Sequence, residues 1–492
     1  MKIADLNGIR SIFFENRTLK QTIFKNTFWL IGGAGINRLL KLVLMIYAAR
    51  ILGATDYGKF TFALAFVSFF IVFHDFGLPT TVTREFAREK EREGEFYSVI
   101  SLSSFLALGV LILILISSLF ITQDPQIRKL IFILTLFSLI NGFATIFYAF
   151  FQARQKMEYV AWSEILQSLL VVILGLFLLF KFPSVENLSY SYLFGGIAAF
   201  IFVLLFFHFK INSLKIAWDK SVWKRFFSIA WPLALAGSFG SIYNYTDSIM
   251  MGHWGMITET GWYNAAYRLS WTFFVFVGLV SSSFYPVLSE WFKKSKEKLE
   301  RVWNYELEMM IVLNVLLVAG GIILAPRIIG SLYGAGFSPS ILAFQILILG
   351  TGISLLYTTL KDMLIVANLQ QRFFWAVAGG AIMNVILNLI LIPKYSLYGA
   401  AIATIATHFL IFITLLVFVL RFTQVRPDLK RIGPVILISL FSVFAMSLII
   451  SNPRIFNLNI FLSAPIGAIA YFTVFFLSKM IIQYFKNLFY AK

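Results

Sequence analysis

Apolar blocks of about 20 residues alternate with short polar segments along the whole chain. A helix rising 1.5 Å per residue needs about 20 apolar residues to cross the hydrocarbon core of a bilayer. On that rule the pattern predicts fourteen spans, at approximately 26–50, 59–78, 97–121, 129–152, 159–180, 187–208, 226–251, 262–289, 303–325, 339–366, 373–393, 397–420, 433–450 and 457–478. A β-barrel would instead show short segments with two-residue alternation. The expected fold class is therefore an all-α polytopic membrane protein. No connection exceeds about 18 residues, which leaves no room for a soluble catalytic domain.

Charges break this pattern at few places, and the first is the most informative. Arg38 and Lys41 lie near the middle of the first span, in NTFWLIGGAGINRLLKLVLMIYAARIL from Asn26 to Leu52. A cation at that depth costs about 2.5 to 17 kcal/mol, depending on how it is measured. Helical spacing puts Asn37, Arg38 and Lys41 on one polar stripe. Gly32, Gly33 and Gly35 precede it, where a helix bends or packs closely. The stripe reads as the wall of a positively charged, water-filled cavity. The alternative is that both side chains snorkel or pair internally.

The second half has its own polar positions. The seventh span carries Ser241, Asn244, Tyr245 and Ser248 on one face, with Asp247 beside them. The eighth carries Asn264, Tyr267, Arg268 and Trp271; the tenth carries Thr351, Ser354, Thr358 and Lys361, followed by Asp362; the eleventh adds Asn384 and Asn388. Arg268, Lys361, Arg38 and Lys41 are the candidate anion-binding cations. Asn37, Asn244, Tyr245, Tyr267 and Trp271 are the candidate polar and aromatic lining. Asp247 and Asp75 are candidates for ion coupling. Plainer roles compete with each: an Asp247–Arg268 salt bridge, a snorkelling Lys361, an Asp75 that caps the chain before Pro79, aromatics of the interfacial belt. With cations outnumbering carboxylates in this set, the expected ligand is an anion such as a phosphate or pyrophosphate. Arg would offer bidentate contacts and Lys a point charge.

An internal repeat organises these positions. Asp56-Tyr57-Gly58-Lys59-Phe60 follows the first span, and Glu259-Thr260-Gly261-Trp262-Tyr263 follows the seventh, 203 residues later. Six spans separate the copies. An even number gives both the same orientation, which predicts parallel repeats related by an axis along the membrane normal. The expected organisation is residues 1–210 (spans 1–6), 211–421 (spans 7–12) and 422–492 (two further spans).

Composition agrees with this picture and removes alternatives. Mean hydropathy is +0.84, and 59% of residues are hydrophobic. The net charge of +18 does not indicate nucleic acid here. With the N-terminus inside, 29 of the 41 Lys and Arg fall in inside segments, beginning with Lys2, Arg10, Arg17, Lys20 and Lys25. The positive-inside rule thus places both termini in the cytoplasm and the basic excess near anionic lipid. There is no cysteine, and the four histidines show no metal-ligand spacing. No cleavable signal peptide, nucleophile elbow or phosphate-binding loop is present in the sequence.

The run AARILGATDYG at Ala48–Gly58, with Asp75-Phe76-Gly77-Leu78 and Thr83-Arg84-Glu85, resembles the polysaccharide-biosynthesis flippases of the multidrug/oligosaccharidyl-lipid/polysaccharide superfamily. The resemblance implies two six-helix lobes around a cavity that opens to each side in turn. It also implies transport of an isoprenoid-pyrophosphate-linked oligosaccharide to the outer leaflet of the cytoplasmic membrane, coupled to H⁺ or Na⁺ without another cofactor. Expected partners are this substrate, membrane lipids and the glycan polymerase or glycosyltransferases of the same pathway. Rival readings are a peptidoglycan-precursor flippase, a multidrug cation antiporter and, from another class, a membrane glycan polymerase or glycosyltransferase. The cationic balance disfavours the antiporter, and the absence of a large outer loop disfavours the enzyme.

Overall fold

The computed structural model describes residues 19–490 apart from 212–214, 216, 273, 424 and 457; the basic positions Lys2, Arg10 and Arg17 lie outside the described residues. Among the described residues all regular structure is helical. Ten helical stretches among the described residues are long and apolar enough to cross a membrane. The chain divides into two compact units, Met1–Gly261 and Trp262–Lys492.

The first unit contains α1 (Leu19–Asp75), α2 (Leu78–Arg88), α3 (Phe96–Ile121), α4 (Pro125–Ala153), α5 (Met157–Lys181), α6 (Val185–Lys210), α7 (Lys220–His253) and the start of α8 (Ile257–Thr272). At 57 residues, α1 would be about 85 Å long if straight. It breaks at Gly53 (φ 76°, ψ 174°), a backbone setting that only glycine adopts without strain. It ends where Phe76 and Gly77 turn left-handed and the Asp75 carboxylate accepts a hydrogen bond from the Gly77 N–H at 3.0 Å. Asp75 thus fixes the turn ahead of Pro79. The turn launches the amphipathic α2, which buries Leu78, Thr81, Val82 and Phe86 along one face.

Local chemistry starts the next helices two to six residues ahead of the expected apolar runs at 129, 187 and 226. Asp124 caps α4 with Pro125 behind it, Ser184 caps α6, and Asp219 caps α7. Phe86, Phe96, Phe147, Phe150, Phe207 and Phe226 form an interlocked aromatic core near the charged ends of these helices. Ion pairs Arg154–Glu93 and Arg225–Glu95 tie that end down. Lys25 pairs with Glu158 at 3.1 Å, with both side chains buried.

The start of α8 and the segment after Gly53 approach as closely as backbones can. A Cβ on Gly58 would lie 1.9 Å from the Ile257 carbonyl oxygen, and one on Gly261 would lie 2.0 Å from that of Ala54. Thr55 and Thr258 hydroxyls meet at 2.9 Å. Every partner in this crossing is matched at the 203-residue offset, so the contact is locally two-fold.

The second unit contains the rest of α8, then α9 (Phe274–Phe292), α10 (Lys296–Tyr333), α11 (Ser340–Val366), α12 (Gln370–Phe422), α13 (Leu429–Ser451), α14 (Pro453–Phe456) and α15 (Ile460–Tyr490). The 53-residue α12 breaks at Ser396 (φ 52°, ψ −131°), shortly after Pro393. Trp303 is fully buried and donates to the Thr359 carbonyl at 3.3 Å, which locks α10 to α11. Tyr471 donates to the Val312 carbonyl at 2.9 Å and joins α15 to α10. In both units the outer faces carry bare large side chains such as Phe120, Phe209 and Phe461. Lipid suits that surface and water does not, so this is a multi-pass membrane protein.

Candidate functional site

In the first unit the polar stripe of α1 faces α5. Gly33 allows the crossing, since its Cβ would lie 2.9 Å from that of Ala161. One turn on, the side-chain amide oxygen of Asn37 accepts from the Ser168 hydroxyl at 2.6 Å. Lys41 is half-buried, within electrostatic reach of Glu164 on α5. Gln167 donates to Asn141 of α4 at 3.0 Å and extends the polar seam. Arg38 differs from its neighbours. Its side chain is exposed, and among the described residues it has neither an ion-pair nor a hydrogen-bond partner. On α7, Asp247 and Ser248 are buried, Tyr245 is half-buried and Asn244 is exposed.

The second unit holds Arg268 and Lys361. Arg268 is half-buried on α8, and its Nε is enclosed without a hydrogen-bond partner among the described residues. On the same helix Tyr263 and Tyr267 stack at 5.7 Å and Tyr267 meets Trp271 at 6.0 Å, a short aromatic ladder. Its first rung is structural: Tyr263 is buried with its hydroxyl 3.4 Å from that of Thr404. Lys361 pairs with the adjacent Asp362 at 3.2 Å, and Asp362 also accepts from the Ser281 hydroxyl of α9. Asn384 and Asn388 are fully buried and bonded to each other at 3.0 Å.

Two carboxyls that the sequence reading passed over change the charge balance. Glu164 lies in the predicted fifth span as a lone acid in an apolar run, and Glu306 lies near the start of the ninth, two residues before Glu308. With Glu164 near Lys41 and Asp362 against Lys361, two of the four cations have a counter-charge within their own unit. His74 was also passed over; it is buried and its Nε2 meets the Ser103 hydroxyl at 2.9 Å. Gly142 makes room for that ring, as its Cβ would lie 2.2 Å from His74 Nδ1.

The second unit also has an apolar groove of about 680 Å³, walled by Phe284, Val312, Val435, Phe472 and Phe475. Glu308 and Lys479, which pair at 3.9 Å, supply its charged edge.

Comparison with known proteins places this geometry. A flippase of Haloferax volcanii named "Probable low-salt glycan biosynthesis flippase" is 24% identical over 386 residues, covering 76% of this chain and 78% of its own. The capsular polysaccharide biosynthesis protein CapF of Staphylococcus aureus is 21% identical over 401 residues, covering 79% and 97%. The lipid II flippase MurJ in an inward closed conformation superposes with a TM-score of 0.75 at 19% identity, covering 94% of this chain and 99% of that one, and so shares the fold. Residues 23–292, more than half of the chain, match the polysaccharide biosynthesis protein family. The chain belongs to that family.

Proposed function

We propose that this protein is a flippase that moves an isoprenoid-diphosphate-linked oligosaccharide across the cytoplasmic membrane by alternating access. Arg38 carries the reading. It is a cation in mid-span, exposed, with no protein partner among the described residues. Leaving it against hydrocarbon would be costly, so water or an anion must compensate it. A diphosphate suits a guanidinium, which grips two oxygens at once. Lys41, Arg268 and Lys361 are the further candidate cations, and Arg268 shares α8 with the aromatics that suit sugar rings. The apolar groove suits the isoprenoid chain. Family membership and the names of the relatives support the same substrate class.

The finer architecture follows the same reading. α1 and α12 are each far longer than a bilayer is thick and each breaks once, so each supplies two spans. Counting α7, which bends by 41°, and α8 with α9 as one span each gives fourteen. The symmetric Gly58–Gly261 crossing supports parallel repeats, and the distribution of Lys and Arg supports cytoplasmic termini.

The test is flipping of a lipid-diphosphate oligosaccharide in reconstituted vesicles, run beside melting curves. Arg38→Ala is expected to abolish flipping with little change in Tm, and Arg38→Lys to restore it only in part, since the charge stays and the fork is lost. Full transport by Arg38→Leu would overturn the assignment.

A further inference from the structure

Glu306 is a buried carboxyl in the second unit. It lies on α10 among Trp303, Leu307 and Met310, all buried, and is itself 0% exposed. Both of its carboxyl oxygens are enclosed without a hydrogen-bond partner among the described residues. The charged groups that act on it come from α11: Asp362, only 3% exposed, and Lys361. Lys361 is already paired with Asp362, which also takes the Ser281 hydroxyl of α9. The other helices packed on α10 have their charges turned elsewhere. Arg431 of α13 lies over Tyr305, Lys479 of α15 pairs with Glu308, and Glu290 of α9 pairs with Lys294 at an exposed end.

The cluster therefore counts two carboxyls against one cation. If both carboxyls were ionised, a net negative charge would sit inside a span without a donor to stabilise it, which is expensive. Two acids sharing such a site with one lysine reach neutrality by keeping one proton between them. Glu306 has the proton-accepting oxygens that nothing else among the described residues uses, while the Asp362 oxygens are taken by Lys361 and the Ser281 hydroxyl.

We propose that Glu306 and Asp362 form a proton-binding site, with the proton resident on Glu306 and Lys361 balancing Asp362. The uptake step is simple: a proton from water bonds one Glu306 oxygen, no other bond changes, and the cluster becomes neutral. If the flippase reading holds, this makes H⁺ the coupling ion in the second unit; the proton site itself does not depend on that reading.

A hydrophobic carbodiimide reacts with protonated carboxyls buried in membranes, which gives a readout independent of transport. The purified full-length protein in lipid vesicles is labelled across a pH series and the modified residue located by mass spectrometry. The expected result is labelling at Glu306 that falls as pH rises, is absent in Glu306→Gln, and is unchanged by Na⁺. Replacing Lys361 by Met should extend labelling to Asp362, because its counter-charge is gone. Glu306→Gln, which mimics the protonated form, is expected to fold with an unchanged or raised Tm. Absence of labelling at every pH, protection by Na⁺, or a Tm loss in Glu306→Gln as large as in Glu306→Ala would each overturn the proposal. Vesicles that flip lipid yet show no Glu306 labelling would sink the proton site alone; labelling without flipping would sink the flippase reading alone.

Discussion

The crossing at Gly58 and Gly261 yields a prediction whose size follows from the geometry. An alanine at position 58 would place its Cβ 1.9 Å from the Ile257 carbonyl oxygen. Carbon and oxygen need roughly 3.4 Å, so the segments must separate by about 1.5 Å, and no rotamer relieves a clash between a Cβ and a backbone. A gap of 0.5–1 Å already forfeits about a quarter to a half of each dispersion contact, so this crossing is lost. Overpacking of this kind costs about 1–3 kcal/mol. The paired Thr55 and Thr258 supply the gauge, because their hydroxyls stand 2.9 Å apart. In this chain without cysteine, Thr55→Cys with Thr258→Cys is expected to cross-link rapidly under mild oxidation, since a disulfide bridges Cβ atoms about 3.5–4.5 Å apart. Adding Gly58→Ala should slow cross-linking about tenfold, the equivalent of about 1.4 kcal/mol, and Gly261→Ala should do the same. The double alanine variant should cost less than the sum, because both substitutions break one contact. The measurements are the rate of cross-link formation on non-reducing gels and Tm. A pair that fails to cross-link, or a Gly58→Ala variant with an unchanged rate and Tm, refutes the close crossing.

Two further predictions test the topology and the buried pair. Cysteine placed at position 259 should react with an impermeant maleimide in intact cells and cysteine at 296 should not, and the reverse pattern would invert the proposed orientation. Glu158→Gln should leave Lys25 buried and unpaired, lowering stability by about 3–5 kcal/mol, while Lys25→Met with Glu158→Leu should recover most of it; a single variant as stable as the parent would show that the pair is not buried in the membrane-embedded protein.

The long apolar helices were legible because a bilayer imposes one length scale on every apolar run, and the acid-x-Gly-x-aromatic signature was legible because it recurs at a fixed offset. The reason for that signature was not. Gly58 and Gly261 read in sequence as a spacing; only the folded chain shows that each faces the other's neighbouring carbonyl. The sequence expects separate spans at 26–50 and 59–78, and α1 breaks between them at a single non-helical residue, Gly53, with no loop. A span boundary in sequence marks a change in polarity, and the helix does not have to end there. Asp75 was readable as a cap because an acid two residues before a glycine offers the Asx geometry that the turn uses. Acids inside the predicted spans were the hardest to weigh. Glu164 and Glu306 stood in plain sight there, but hydropathy averages over a window and dilutes a single charge. Which cations they neutralise depends on contacts between distant segments.

That last point separates the two residues on which the functional reading rests. Arg38 and Glu306 are both ionisable groups in spans, and neither has a hydrogen-bond partner among the described residues. The bilayer penalises both, yet their surroundings leave different remedies. Arg38 is exposed and cannot give up its charge at any ordinary pH, so an external anion or water must answer it. Glu306 is sealed in, where neither can reach it without opening the helix packing, but a carboxyl can become neutral by holding a proton. Both substitutions should spare the fold, but they should remove different things. Arg38→Leu should abolish binding of the lipid diphosphate, whereas Glu306→Gln should keep that binding and remove only the carboxyl that holds the proton. A Glu306→Gln protein that lost lipid-diphosphate binding as Arg38→Leu does would show that burial does not distinguish the two sites.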